Sequence, residues 1–337
     1  MFELFTENML SPVFLFFLLG LFAAFTKSDL TFPKGLSEAL SIYLLIAIGL
    51  KGGIELSHYS VSEMIRPAAG TLLLGTLIPI GIFIFLLRVL KLEIENAAAL
   101  SASYGSVSII TYGAAAAFLE KNSVFYEGYM SAMVVLLESP AILISVFLYK
   151  LSQKETHSHS TGVLGIVPES SALLDHKVLR ESLFGKSILL LTGSLLIGLI
   201  LGERAVPAVK PLFIDLYSSV LILFILNMGV ITGKRLPEAL KSGGKLLLFG
   251  IVVPAILGVL GTGVGTISGL SIGGAALMGV LAGSASYIAA PAAIKTAVPE
   301  ANPSLYLGLA LGITFPFNLL FGIPLYYEAA KWLSTGY

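Results

Sequence analysis

Two short stretches rich in glycine and serine interrupt long apolar runs, and they are the first candidates for chemistry. One is GSVS, Gly105–Ser108, and the other is GSAS, Gly283–Ser286. Such a stretch favours a break in a helix, and unwound backbone at membrane depth is tolerated only where it lines a cavity or is buried in protein. A helix that resumes after a break begins with free N–H groups and a positive dipole end, which attract anions. The two stretches therefore predict an anion site built without a basic side chain.

The same breaks would also bind a cation. Each break releases backbone carbonyls beside serine hydroxyls, and small hard cations such as sodium take oxygen ligands. Ser108 and Ser286 are predicted to cap the helices that follow, because their hydroxyl oxygens can accept the free N–H groups. Glu138, in VVLLESPAIL, lies within an apolar run, and ionisable groups there are functional candidates. The predicted ligands are an oxyanion together with sodium.

The candidate site residues follow from these two arguments. The predicted anion-binding residues are Gly105, Ser106, Ser108, Gly283, Ser284, Ser286 and Tyr287, and the predicted sodium ligands are Glu138, Ser108, Thr111 and Ser286. Two other interpretations stay open, because small residues also serve close helix packing and Glu138 could be a structural buried acid. Asn227 and Asn318 fit hydrogen-bonding links between helices better than ligands.

No residue pattern predicts an enzyme. The chain has no cysteine, and its four histidines, at positions 58, 157, 159 and 176, fall in loops. A serine nucleophile needs a paired base, and none accompanies Ser106 or Ser284. The 20 basic and 20 acidic residues balance, so the chain has no overall field that would attract nucleic acid.

The elements that must position these residues are membrane helices. Hydrophobic residues make up 56% of the chain and charged residues 12%, about half the charged fraction of a soluble domain. The mean hydropathy is +0.93. Runs of roughly 17–25 apolar residues can span a bilayer as helices. Ten such runs are predicted, at about 11–26, 35–52, 67–90, 95–119, 126–150, 184–202, 207–232, 244–268, 272–297 and 304–333.

The ten runs predict two inverted repeats. YGSVSIITYGAAAAF, Tyr104–Phe118, aligns with AGSASYIAAPAAIKT, Ala282–Thr296, and Glu138–Tyr149 aligns with Thr314–Leu325 after a short gap. Because five is odd, the second copy enters the membrane the other way up, as in many secondary transporters. The predicted domains are a first repeat at 1–150, a polar linker at 151–183 and a second repeat at 184–337.

The distribution of basic residues predicts the orientation. With the N-terminus outside, most Lys and Arg residues fall on the side of the linker, as the positive-inside rule requires. The excess is smaller when the linker's own basic residues are left out. Both termini are then predicted outside, and the linker is predicted to be cytoplasmic.

Several segments resemble the sodium-dependent bicarbonate transporters of the SbtA type, known from cyanobacteria. The resemblance rests on PEANPSLYLGLALGITFPFNLLFGIP, Pro299–Pro324, on the two serine-containing breaks and on the acid-x-Pro of Glu138 and Pro140. It implies a homotrimer of ten-helix subunits. In each subunit a gate of spans 1, 2, 6 and 7 lies beside a core of spans 3–5 and 8–10. Bicarbonate and sodium bind at the crossing breaks, and an elevator-like shift exposes them alternately.

At one position the chain departs from the family that it resembles. Cyanobacterial members have an aspartate where this chain has Tyr287, and losing that carboxylate should weaken or abolish one sodium site. A tyrosine hydroxyl can still donate to an anion, so a different small carboxylate is an alternative substrate. Regulation by a PII-like cytoplasmic protein, known in the family, is a further alternative for the linker.

The sequence therefore predicts a sodium-coupled importer of bicarbonate, or of a similar small anion, in a bacterial inner membrane. Sodium would be the coupling ion, and the lipid bilayer would be the surrounding partner. Two other functions stay open. One is sodium/proton exchange with Glu138 as the carrier, and the other is a membrane sensor or interaction protein.

Overall fold

The fold is helical throughout the described part of the chain. The computed structural model describes residues 9–158, 179–180 and 183–335, and these contain no strand. The last helix includes two π-helical turns, at Ala310–Thr314 and Asn318–Gly322. In chain order the helices are α1 Pro12–Phe25, α2 Lys34–Leu56, α3 Val61–Arg88, α4 Ile94–Gly105, α5 Ile109–Lys121, α6 Met130–Ser158, α7 Lys186–Leu201, α8 Tyr217–Leu240, α9 Gly244–Ile267, α10 Ile272–Gly283, α11 Ala289–Ala297 and α12 Pro303–Thr335.

Several helices begin at residues whose side chains satisfy free N–H groups. The Ser11 hydroxyl oxygen accepts from the N–H of Phe14 at 3.2 Å, and Pro12 occupies the first turn of α1, where it needs no donor. A capping box begins α3, because Ser60 and Glu63 each accept from the other's backbone N–H. These local signals explain why the helices begin where they do.

Seven helical segments among the described residues are long and apolar enough to cross a membrane, and α1 and α10 are shorter apolar helices. One segment, Lys186–Leu240, covers the predicted span 207–232 and nearly all of the predicted span 184–202, because short helical turns between Leu201 and Tyr217 join α7 to α8. An all-helical, multi-pass membrane protein is therefore confirmed. The count of ten spans and their inverted repeat stay predictions. Most of the linker, including His159 and His176, lies outside the described residues.

The helices pack in two groups. In the four-helix group, α1 packs along α8 and α2 packs along α7. In the break-containing group, α3 packs with α4 and α6, and α9 packs with α10 and α12. The first group presents continuous helices, whereas the second contains both interrupted helices. The candidate site residues lie in the second group.

Ion pairs at the helix ends define two faces of the molecule. Glu38, near the start of α2, pairs with Lys186 at the start of α7. We call this end the linker face, because α7 follows the predicted linker. At the opposite end, the far face, the His58 ring nitrogen lies 2.9 Å from the Glu203 carboxylate, just beyond the ends of α2 and α7.

A loop carboxylate at the far face fixes the start of α10. Glu127 is 8% exposed, and its two carboxylate oxygens accept from the backbone N–H of Ser271 at 2.6 Å and from the Ser271 hydroxyl at 3.1 Å. The Ser271 hydroxyl oxygen also caps α10 by accepting from the N–H of Gly274 at 3.1 Å. A negative charge at a helix N-terminus is stabilising. Glu127 therefore anchors the helix that leads into the second break.

We expect Glu127→Gln to destabilise the protein by about 1–2 kcal/mol, since the charge is lost and the amide nitrogen cannot accept a hydrogen bond. Thermal unfolding in detergent measures the change. Glu203→Gln is the matched control at the same face, because its carboxylate is exposed and such pairs contribute little. Equal midpoints for the two variants would show that Glu127 does not anchor α10.

Candidate ion-binding site

Both predicted helix breaks are present. In the first half α4 ends at Gly105 and α5 begins at Ile109, and in the second half α10 ends at Gly283 and α11 begins at Ala289. The residue after each glycine, Ser106 or Ser284, has an extended backbone. Glycine and serine at these positions therefore interrupt the helices as expected.

The predicted cap at Ser108 is confirmed, and Ser286 accepts a free N–H of α11 from two residues before the N-cap position, which is Ile288. The Ser108 Oγ accepts from the backbone N–H of Thr111 at 3.2 Å and from the Thr111 hydroxyl at 2.8 Å. The Ser286 Oγ accepts from the backbone N–H of Ala290 at 3.2 Å. Two donors occupy the lone pairs of Ser108, so its own O–H remains to be donated.

Two hydrogen bonds join the breaks to one another. The backbone N–H of Ser108 donates to the Ser284 Oγ at 3.0 Å. The backbone N–H of Ser286 donates to the Ser103 carbonyl at 2.7 Å. The two interruptions, far apart in sequence, thus form one unit buried in the break-containing group.

A small cavity lies between the starts of α5 and α11. It has a volume of about 10 Å³, which is close to the minimum that a single water molecule needs. Its lining includes Ser108 and Ile109 from the first break, Ser286 and Ala289 from the second, and the side chain of Glu138 from α6. The first N–H groups of a helix have no partner within it, and two helix starts line this cavity.

Two polar atoms at this cavity lack protein partners. Glu138 is 1% exposed, and its Oε2 has no hydrogen-bond partner among the described residues. The Tyr287 hydroxyl likewise has no hydrogen-bond partner among the described residues. The Tyr287 ring packs edge-on against Phe315 at 5.7 Å, which holds the hydroxyl in place. Because an unpaired buried polar group is costly, these two atoms are candidates for contact with a ligand.

The structure divides the predicted site residues into two sets. Those that line the cavity are Ser108, Ser286, Tyr287 and Glu138. Thr111 reaches it indirectly, through its two hydrogen bonds to Ser108. Those that do not line it are Gly105, Ser106, Gly283 and Ser284.

The two glycines have packing roles. A Cβ on Gly105 would lie 2.8 Å from the Pro79 side chain, and one on Gly283 would lie 2.8 Å from the Pro254 carbonyl and 2.5 Å from the Tyr326 hydroxyl. Pro79 and Pro254 lie inside α3 and α9. Sequence reasoning missed both prolines, although a proline inside the third and eighth apolar runs was a readable signal.

An amide satisfies the carbonyl that the second break releases. The Asn318 side-chain N–H donates to the Gly283 carbonyl at 2.9 Å, and the Tyr326 hydroxyl lies 2.9 Å from the Asn318 Oδ1. The interpretation of Asn318 as a hydrogen-bonding link between helices is confirmed. One lone pair of the Gly283 carbonyl oxygen is consequently occupied by Asn318. No sequence signal pointed to Tyr326.

The comparison with known families decides the class of protein. Residues 12–331 of the chain match the sequence profile of the Na⁺-dependent bicarbonate transporter superfamily. The chain belongs to this superfamily. The match includes both breaks and Glu138, so the resemblance found in the sequence is confirmed. No individual curated protein matches the chain. As a member of this superfamily, the chain belongs to a family of sodium-dependent bicarbonate transporters.

Proposed function

We propose that the chain takes up bicarbonate, or a similar small anion, together with sodium, by an elevator-like movement of the break-containing group. The observation that carries the proposal is the cavity between the starts of α5 and α11, where two helix N-termini meet the unpaired Glu138 carboxyl group. Helix N-termini attract an anion and the carboxylate attracts a cation. The two charges would then offset one another in a buried site.

The anion would bind to the helix starts and hydroxyls. Ser108 retains its O–H for donation, because Thr111 already occupies its lone pairs. The Tyr287 hydroxyl, without a partner among the described residues, is a second donor to the anion. These hydrogen bonds favour the anion role for Ser108 over its role as a sodium ligand.

Sodium would bind to Glu138 and neighbouring oxygens. The cavity of about 10 Å³ holds about one water-sized particle, so it suits a dehydrated cation. Ser286 keeps a free lone pair and is the second candidate ligand, since its Oγ accepts one hydrogen bond. Bicarbonate has four heavy atoms and needs more room, so its binding requires the walls to separate.

The wall that can separate belongs to the four-helix group. Ser187, at the start of α7, lines the same cavity as Glu138 and Tyr287. Phe315, which packs on Tyr287, also contacts Phe17 of α1 edge-on at 5.6 Å. We propose that the four-helix group is the gate and the break-containing group the core. Movement of the core along Ser187 and Phe17 would then expose the site alternately.

The packing pattern supports the inverted repeat. In the predicted repeat, α1, α2, α3 and α6 of the first half correspond to α7, α8, α9 and α12 of the second. The contact of α1 with α8 therefore corresponds to the contact of α7 with α2, and the contact of α3 with α6 corresponds to that of α9 with α12. Each of these contacts is extensive. On this proposal ten spans form two repeats, and the far face is outside with both termini. The resemblance further implies a homotrimer and a PII-like regulator that binds the linker.

Uptake of labelled bicarbonate into proteoliposomes tests the proposal. We expect accumulation when an inward sodium gradient is imposed and none when sodium is replaced by potassium. Proton movement driven by sodium without bicarbonate would instead support exchange through Glu138, which the unpaired carboxyl group makes the second candidate function. Binding without accumulation would indicate a sensor.

Within this assay, we expect Ser108→Ala to raise the KM for bicarbonate about 5- to 10-fold, since the lost O–H removes one hydrogen bond that contributes about 1–1.5 kcal/mol. Ser194→Ala is the matched control, because Ser194 is also buried but donates to the Leu190 carbonyl within α7. An unchanged KM in Ser108→Ala would remove this serine from the anion site.

A further inference from the structure

A second, much larger cavity lies at the far face, between the two helix groups. Its volume is about 330 Å³, which is room for roughly ten water molecules at about 30 Å³ each. α2 supplies Lys51 and Glu55 to its lining, and α5 supplies Tyr112, Ala116 and Glu120. We call it the outer cavity. None of the residues predicted to bind the anion or sodium lines it.

The charges of the outer cavity favour a cation. The Lys51 ammonium pairs with the Glu120 carboxylate, which also accepts from the Tyr126 hydroxyl at 2.7 Å. Glu55 is exposed to the cavity, and its carboxylate makes no ion pair among the described residues. With one ammonium against two carboxylates, the lining carries one net negative charge. A cleft lined by an excess of one sign concentrates counter-ions.

A buried hydroxyl provides an independent sign of a ligand. Ser131 lines the outer cavity and is 2% exposed, and its Oγ has no hydrogen-bond partner among the described residues. It lies so close to α2 that a Cβ on Gly52 would come within 1.6 Å of the Oγ. Oxygen atoms from serine, tyrosine and glutamate therefore surround the space, and oxygen is the ligand that hard cations prefer.

Only one helical turn separates the two cavities. Tyr112 lines the outer cavity, and its backbone N–H donates to the Ser108 carbonyl at 3.0 Å. Ser108 in turn lines the small cavity beside Glu138. The outer cavity has room for a hydrated ion, whereas the inner one has room for about one water-sized particle. An ion that passes Tyr112 would exchange water for protein oxygens.

We propose that the outer cavity is a cation-binding vestibule, in which hydrated sodium is held by Glu55, Glu120 and Ser131 before it reaches Glu138. Its ligand is a small monovalent cation. The identification of that cation as sodium rests on the proposed function. The Lys51–Glu120 pair crosses from the gate to the core, so it also keeps the vestibule narrow at this face.

Cysteine labelling tests the proposal directly, because the chain has no cysteine of its own. Ala116→Cys places one thiol in the vestibule, and Ala208→Cys places one on the exposed far face outside it. The probes are the cationic 2-aminoethyl and the anionic 2-sulfonatoethyl methanethiosulfonates. Rates are normalised to those of a free thiol. We expect the cationic reagent to be favoured about ten-fold or more at position 116, and by less at position 208.

Sodium should protect the introduced thiol. We expect sodium to slow labelling at position 116 relative to N-methylglucamine at equal ionic strength, with no effect at position 208. Adding Glu55→Gln should abolish the cationic preference, whereas Glu203→Gln, in the exposed pair with His58, should preserve it. Equal labelling rates for the two reagents at position 116, or no protection by sodium, would overturn the vestibule proposal.

The labelling result is separable from the proposed function. It needs neither bicarbonate nor a gradient. Sodium-driven uptake without a cationic preference at position 116 would overturn the vestibule and leave the transport proposal standing. Protection by sodium in protein that does not accumulate bicarbonate would support the vestibule and reject bicarbonate as the transported anion.

Discussion

Glu138→Gln is expected to raise the sodium concentration for half-maximal uptake about 30-fold or more. The change removes the negative charge from a side chain that is 1% exposed and lines the cavity between the two helix starts. Losing a charged partner typically costs about 2–3 kcal/mol, and each 1.4 kcal/mol is a factor of ten. Sodium titration of bicarbonate uptake in proteoliposomes measures the effect.

Glu138→Asp is the matched control, because it keeps the charge and shortens the side chain by one methylene. We expect it to retain sodium dependence with a smaller loss of affinity. Unchanged sodium dependence in the glutamine variant would make Glu138 a structural acid. Loss of folded protein in both variants would be detected by size-exclusion chromatography before any uptake is compared.

Gly229→Ala is expected to destabilise the protein by about 1–3 kcal/mol, the usual cost of overpacking a close contact. A Cβ at this position would lie 2.2 Å from the Phe17 carbonyl and 3.0 Å from the Gly20 Cα. α1 and α8 approach this closely only because both positions lack a side chain, as at other membrane-helix interfaces built from small residues. Thermal unfolding in detergent measures the loss.

Gly81→Ala separates packing from helix propensity. Gly81 lies inside α3, and a Cβ there would have no neighbour within 4 Å. Alanine is a better helix former than glycine by roughly 0.5–1 kcal/mol, so this variant should be as stable as the parent or more stable. If both variants shifted the midpoint in the same direction, close packing at Gly229 would not explain the result.

Tyr287 is the residue at which the site differs from the one that the resemblance implies. It lines the small cavity, and Phe315 holds its ring, yet its hydroxyl has no partner among the described residues. A neutral hydroxyl contributes a donor to the anion but no charge to a cation. Glu138 is consequently the only carboxylate among the cavity's described lining residues, which accounts for the large effect expected of its replacement.

The sequence by itself determined the class of protein and the places where its helices break. Composition was enough to predict a membrane protein, because apolar runs of this length match the thickness of a bilayer. The helix breaks could be predicted from Gly105–Ser108 and Gly283–Ser286 alone, because the conformational freedom of glycine and the capping hydroxyl of serine act within a few residues. The hydrogen bonds that Ser108 and Ser286 accept from the helices that follow were predictable for the same reason.

The tertiary structure alone decided which residues of each break face the cavity. Ser108 and Ser286 line it, whereas the Ser284 hydroxyl is turned to the N–H of Ser108, which comes from the other half of the chain. Tyr326 supports Gly283 from the last helix. These contacts join residues that are distant in sequence, and no local propensity encodes such a pairing. The packing of the helices therefore determines which of the predicted break residues line the cavity.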